Sequence, residues 1–430
     1  MQIGIIGSGI SGLGAAWLLH RKHEITVFEA DDRIGGHSNT IEVDFDGVSI
    51  PVDTGFIVYN EANYPNLTAL FAHLGVATEA SDMSFALSSG GGAIEWASGD
   101  FGKVFAQRRN IFSLKFLSTI KEIWRFNKTA PADLADGLMR GRTLKEYLDL
   151  RSYSHNFRTH YLFPMGGAIW SMPNGGMQEF PAESFVSFCH NHSLMSTKRP
   201  RWRTVSGGSR EYVKKLTAPF LHRIRTGAPV TGVRRASGKV CVQSGNGQKD
   251  HFDHVIIAAH SDQALAMLSD ATAQERDVLG QIRYAPNLAY VHRDPALMPR
   301  LRKVWSSWNY ISGLDDGQSM SVSYWMNRLQ NIDVEKPIFI TLNPIRPPAP
   351  ELTFGAIAFD HVQYDMPGLG AQRRLSQIQG VRNIWFCGAW AGHGFHEDGL
   401  CSGLDVAEQL SGIARPWAQT SAPLLLKAAE

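Results

Sequence analysis

The chain has 430 residues, 43% of them apolar and 19% charged, with a formal net charge of +2. That length exceeds one ordinary core and predicts two domains. The near-neutral balance excludes a general affinity for nucleic acid, and no apolar run reaches the ~18 residues of a membrane span. Cys189, Cys241, Cys387 and Cys401 stand apart with neither CxxC nor zinc spacing. Free thiols in a reducing cytoplasm are therefore expected, and no metal site.

In chain order, Gln2-Ile3-Gly4-Ile5-Ile6 reads as a buried strand that Gly7-Ser8-Gly9-Ile10-Ser11-Gly12 turns into a helix from Leu13 to Leu19. A second strand, Glu24 to Phe28, ends on the acid Glu29. This is the start of a dinucleotide-binding βαβ unit. Gly7 permits the tight turn, Gly9 lets the main chain approach a pyrophosphate, and Gly12 lets helix and strand pack closely. Ile10 and Ser11 open the helix, whose free N–H groups face the phosphates. Glu29 is placed to accept hydrogen bonds from ribose hydroxyls, with Ala30 beside it. The pattern begins at residue 3, so no secretory signal peptide is expected ahead of it.

The next run, Asp31-Asp32-Arg33-Ile34-Gly35-Gly36-His37, places a Gly-Gly pair just after the second strand, where a rigid ligand can lie against bare main chain. Here the chain resembles the flavin-containing amine oxidase and phytoene desaturase superfamily, whose members follow the acid with Arg-x-Gly-Gly. The resemblance implies FAD as cofactor, with Arg33, Gly35 and Gly36 against its pyrophosphate and ribityl chain. Family members usually carry Arg after the pair. This chain has His37, mostly neutral at pH 7, so its contact is weaker.

The resemblance implies an α/β fold, a Rossmann-type FAD domain with an inserted α+β substrate domain. Residues 1–62, 200–262 and 378–412 would form the FAD domain. Residues 63–199 would be a mainly helical insert facing substrate or membrane, 263–377 the substrate domain, and 413–430 a C-terminal tail. Within Val52 to Ile57, the residues Thr54, Gly55 and Phe56 match the segment whose main chain passes the flavin ring. Val230 matches the valine that pairs with the adenine. Gly388, Gly399 and Leu400 match the closing motif, followed by a helix from about Cys401 to Leu410. Ala389 stands where the family has an acid, which removes one cofactor contact.

No second GxGxxG is present. The electrons are therefore expected from an organic substrate, a C–H hydride passing to flavin N5, with the final acceptor left open. An amine oxidase is one reading, but residues Gln281 to His292 lack the lysine many members place near N5. A lipid substrate is the other. Residues 104–128 hold six Lys or Arg and one acid. Phe112, Phe116, Ile120, Ile123 and Trp124 recur at helical spacing, and Lys115, Ser118, Lys121 and Arg125 are read on the opposite face. Such a helix suits the surface of an anionic bilayer, or packs as an ordinary domain helix. Lys198-Arg199-Pro200-Arg201-Trp202-Arg203 is a second basic and aromatic cluster.

The stretches from Trp202 to Arg210, Trp305 to Tyr310 and Gly394 to Gly399 look like a bacterial flavoprotein subgroup often encoded beside cyclopropane-fatty-acid-synthase-like methyltransferases. That resemblance implies dehydrogenation of a membrane fatty acyl chain by a cytoplasmic protein, peripheral on the membrane's inner face. A carotenoid or terpenoid desaturase, a redox-neutral fatty acid isomerase and a non-enzymatic carrier of the GDP-dissociation-inhibitor type remain alternatives. His396, just before the closing motif, is the candidate catalytic residue, as a base or proton relay whose pKa could cross neutrality. Glu397 and Asp398 are expected to cap the helix that follows. Tyr59, Tyr324, Trp325 and Asn327 are further candidates for lining a pocket.

Overall fold

The computed structural model describes residues 1–196, 200–314 and 319–418. Lys198 and Arg199 of the second basic cluster lie outside them, as do residues 419–430. Among the described residues, five parallel strands form the central sheet in the order Ile224–Arg225, Glu24–Phe28, Gln2–Ile6, His254–Ile257, Ile384–Phe386. These short apolar strands are buried as crossover helices cover a parallel sheet. The helices Ile10–Leu19 and His396–Ser411 pack together on one face. Their contact is close enough that a Cβ on Gly403 would stand 2.0 Å from the Ser11 carbonyl oxygen.

A seven-stranded sheet forms the second body, in the order Thr353–Gln363, Arg283–His292, Phe339–Leu342, Met320–Trp325, Trp308–Ser312, Phe85–Ser89, Ile94–Ala97. Its last two strands come from the segment read as mainly helical, as does Thr78–Ser81, which pairs with Trp202–Val205. Those runs are only four or five residues long, and neither Thr78–Ser81 nor Phe85–Ser89 alternates polar with apolar residues, so no period of two marked them. Trp202 and Arg203 sit within that pairing, and Arg203 Nε donates to Thr78 Oγ1 at 2.9 Å. An aromatic core fills the helical insert, including Phe126, Phe157, Trp170, Phe180, Phe185 and Phe188.

The helix Leu114–Ala135 corrects the expected division into faces. Thr119, Phe126, Ala130 and Asp133 turn inward, and Ile123 packs against the insert core. Trp124 and Leu117 point outward on the same side as Lys121 and Arg125. Apolar residues lie all round this helix, so the sequence pattern did not single out the inner side. No helix among the described residues is long and apolar enough to cross a membrane.

Candidate functional site

The Gly7 to Gly12 loop lies at the carboxyl end of the first strand, as ligand crevices of open α/β sheets do. A Cβ on Gly12 would meet the Gly7 carbonyl oxygen at 2.0 Å, which excludes any larger residue there. Glu29 ends the second strand and accepts from Ser8 N at 2.9 Å and Asp31 N at 3.0 Å. It therefore shapes the loop, and keeps acceptor capacity for a ribose hydroxyl. Ala228 N donates to the Glu29 carbonyl at 2.8 Å, bringing the start of Val230–Ala236 beside it.

Arg33 Nη1 donates to the Gly36 carbonyl at 2.8 Å, so this side chain pins the glycine pair. Gly35 N in turn donates to the Ser8 carbonyl at 3.0 Å. A Cβ on Gly36 would come within 2.9 Å of Gly9 Cα, so the pair packs on the fingerprint loop. Phe56 N donates to the His37 carbonyl at 2.7 Å, and Thr54 Oγ1 to the Asn39 carbonyl at 3.1 Å. Gly55 fits only because it lacks a Cβ, which would sit 2.2 Å from that His37 oxygen. Gly388 N donates to Ser402 Oγ at 3.2 Å. Leu400 is fully buried, and a Cβ on Gly399 would stand 2.9 Å from Ile10 Cγ2.

This cradle fits a dinucleotide. The helix Ile10–Leu19 has no side-chain cap at Gly9, and no atom lies within 4 Å of where a Gly9 Cβ would be. The helix N-terminus is thus free of a side-chain cap and has open space beside Gly9, room that a pyrophosphate needs.

Around it sits a set of aromatic and imidazole rings. His37 lies 5.1 Å from Phe359 and 5.9 Å from His361, and His260 stacks on Tyr284 at 4.4 Å. Burial, then the charges of His361, His260 and Arg33, holds His37 at about 3. Burial and His260 hold His361 at about 4, so both rings are neutral at pH 7.

His396 begins the closing helix, which starts five residues before the expected Cys401. Its ring stacks on Phe56 at 3.9 Å, and its Nε2 bonds the Tyr212 hydroxyl at 2.7 Å and Ser38 Oγ at 3.3 Å. Burial and His37 hold its pKa at about 3. That corrects the expectation of a pKa crossing neutrality, because desolvation favours the uncharged ring. Glu397 is a second correction. It accepts from Asn66 N at 2.8 Å and Leu67 N at 2.9 Å, and so caps the distant helix Pro65–Leu74. Asp398 alone caps its own helix, accepting from Phe395 N at 2.9 Å.

Asp53 escaped sequence reasoning. Fully buried, it accepts from Ser209 N at 2.8 Å, Ser209 Oγ at 2.7 Å, Thr40 Oγ1 at 2.6 Å and Gln330 Nε2 at 3.0 Å. Burial still pushes it up to about 6. It joins three distant segments directly before Thr54. Tyr212 was missed too, although its place four residues after Gly208 puts it on the inner side of the helix Arg210–Thr217. His260, Phe359 and His361 left no signal. Of the further pocket candidates, Tyr59 is core against Phe71 and Tyr64. Tyr324 packs on Trp308 and Trp325 on Trp305. Asn327 is spent on the Asp333 and Lys336 carbonyls.

The chain belongs to the flavin containing amine oxidoreductase family, whose model matches residues 10–292. It is an FAD-dependent oxidoreductase. No curated protein matches it. Among solved structures, a cofactor-binding redesign of putrescine oxidase is 16% identical, with a TM-score of 0.69 over 95% of this chain and 99% of that one. Cyclohexylamine oxidase from Brevibacterium oxydans IH-35A is 17% identical, at 0.67 over 95% and 99%. A CLA-producing fatty acid isomerase from P. acnes is 15% identical, at 0.67 over 95% and 98%. At these identities the likeness is one of fold.

Proposed function

We propose that the protein dehydrogenates a hydrophobic substrate, a fatty acyl chain taken from the inner face of a membrane. The observation that carries this is the wall leading to the closing helix. Phe395, the residue before His396, stacks on Phe188 at 4.7 Å, and Trp170 lies 4.8 Å from Phe188 and 4.6 Å from Phe180. Beyond it, Phe180 meets Tyr364 at 5.6 Å. The two acids that follow Phe395 most closely, Glu397 and Asp398, are committed to helix caps. An aromatic wall with no charged member favours a hydrocarbon chain over a charged amine.

Desaturation removes two hydrogens and two electrons from adjacent carbons, one hydrogen as a hydride that carries both electrons and the other as a proton that passes to solvent, and leaves C=C. Gly9, Glu29, Gly36 and the 54–56 segment would hold FAD, which would supply the hydride acceptor. Phe395, Phe188 and Trp170 exclude water from the chain. His396 is assigned a positioning role, holding Phe56 and Tyr212 through its ring face and Nε2. Residues 104–128 are proposed to bring the site to the bilayer.

Anaerobic mixing with phospholipids, free fatty acids, carotenoid precursors and amines tests this reading. Loss of the flavin absorption band with acyl lipid is the expected result. Bleaching by amine alone, or rapidly by NADPH, overturns it, and lipid turnover without any electron acceptor assigns an isomerase instead.

A further inference from the structure

Four of the six large apolar side chains more than 60% exposed among the described residues fall within residues 101–124. They are Phe101 at 62%, Phe112 at 86%, Leu114 at 82% and Trp124 at 67%, with Leu117 at 40% between them. Single exposed apolar residues are ordinary, whereas a contiguous patch marks an interaction site. Leu114, Leu117, Lys121, Trp124 and Lys128 recur every three or four positions, and each is exposed, so they share the outward side of the helix. The Phe101 ring packs on Phe105 at 4.5 Å, and Phe105 on Phe116 at 5.6 Å. That ladder, through the buried Phe105, packs the preceding turns against the first turn of the helix and brings Phe101 to the same end of it.

We propose that this face is a docking surface for an anionic lipid bilayer. The inference rests on the reading that the substrate lies in a membrane, and it names the side chains that would meet it. Charge decides the occupant. Lys115, Lys121 and Lys128 have no ion-pair partner among the described residues. Glu122, the only acid between 104 and 128, turns away to accept from Ser154 N at 3.0 Å. A second copy docked through the same face would bring more unpaired lysines and no free acid to the seam, which is repulsive. Lipid phosphates offer the opposite charge, and lysine stems can lie along acyl chains while their ammonium groups reach the headgroups. Arg125 is excluded from this role. It lies 4.0 Å over the Tyr153 ring and donates to the Ser152 carbonyl at 3.3 Å, so it holds the fold.

Co-sedimentation of the FAD-loaded protein with vesicles tests the proposal. Neutral phosphatidylcholine vesicles should leave it in solution, vesicles with added phosphatidylglycerol should bind it, and rising salt should release it. Lys121→Glu with Lys128→Glu should lower partitioning at least about 25-fold, at about five-fold for each lysine. Phe112→Ser with Trp124→Ser should also abolish binding. Both pairs are exposed, so the flavin spectrum and thermal midpoint should stay those of the wild type, which separates lost docking from lost folding. Unchanged sedimentation of both variants overturns the proposal. So does a wild-type dimer that the aromatic variant converts to a monomer, since the patch would then serve a second copy. Vesicle binding without flavin reduction by any lipid defeats the substrate reading alone. Reduction by detergent-dispersed lipid without vesicle binding defeats the docking surface alone.

Discussion

The Tyr212 hydroxyl stands 2.7 Å from His396 Nε2, joining residues 184 positions apart. The contact is one link in a closed circuit. His396 stacks on Phe56, Phe56 follows Asp53 by three residues, and Asp53 holds Ser209 at the start of the helix that carries Tyr212. Each link restrains the Thr54 to Phe56 segment.

Tyr212→Phe removes one hydroxyl from this circuit and leaves Nε2 with only Ser38 Oγ. The expected cost is roughly 0.5–1.5 kcal/mol, the net worth of one hydrogen bond, since Nε2 keeps a partner. Urea denaturation measures that cost, and visible circular dichroism of the bound flavin should change with it. An unaltered dichroism spectrum would place the circuit away from the cofactor.

Glu29→Ala should weaken FAD by roughly 1.5–3 kcal/mol, through lost hydrogen bonds to a charged group. The effect is double, because Glu29 also holds Ser8 N. Fluorescence titration of stripped protein with FAD measures the constant. Equal affinity in the variant would remove Glu29 from the site.

Gly403→Ala forces a methyl to within 2.0 Å of the Ser11 carbonyl oxygen. Helix and backbone must separate, at a cost of about 1–3 kcal/mol or more. Thermal unfolding and FAD retention should fall together, because Ser11 belongs to the phosphate-binding loop. A stable, yellow variant would contradict this packing.

Acid should destabilise the protein through His37, whose folded pKa of about 3 lies below its ordinary value. Its stabilising share is complete above about pH 6.5, where folded and unfolded rings are both neutral. As pH falls below that, the unfolded chain takes up protons and the folded one does not, so stability drops until about pH 3. His37→Gln removes this share. Between pH 6.5 and 5, wild type should lose more stability than the variant, by up to about 1.4 kcal/mol per pH unit. Parallel pH profiles in denaturant titrations would refute it.

The cofactor half of the site was legible because its signals are local. Gly7, Gly9, Gly12 and Glu29 lie within one βαβ unit, and each glycine answers a constraint set by neighbours in sequence. The circuit through Asp53, Ser209, Tyr212 and His396 was not legible, since its members lie up to 343 positions apart and a lone Asp or Tyr carries no mark of its partner. Glu397 shows the same limit. An acid near a helix start reads as its own helix's cap, and only the packing of Pro65–Leu74 against it reveals the true recipient. On the helix Leu114–Ala135 the period was readable, but the inner side was not, because apolar residues surround the axis.

The order of strands in the central sheet bears on how the chain is made. Gln2–Ile6 gains one neighbour from Glu24–Phe28, but the other is His254–Ile257. A nascent chain must therefore carry one bare, apolar edge of its first strand until some 250 further residues have left the ribosome. An unpaired edge of that kind recruits any passing strand. Of the seven-stranded sheet only Phe85–Ser89 and Ile94–Ala97 precede that moment, so neither sheet can be completed first, and exposure to aggregation falls on the start of the chain.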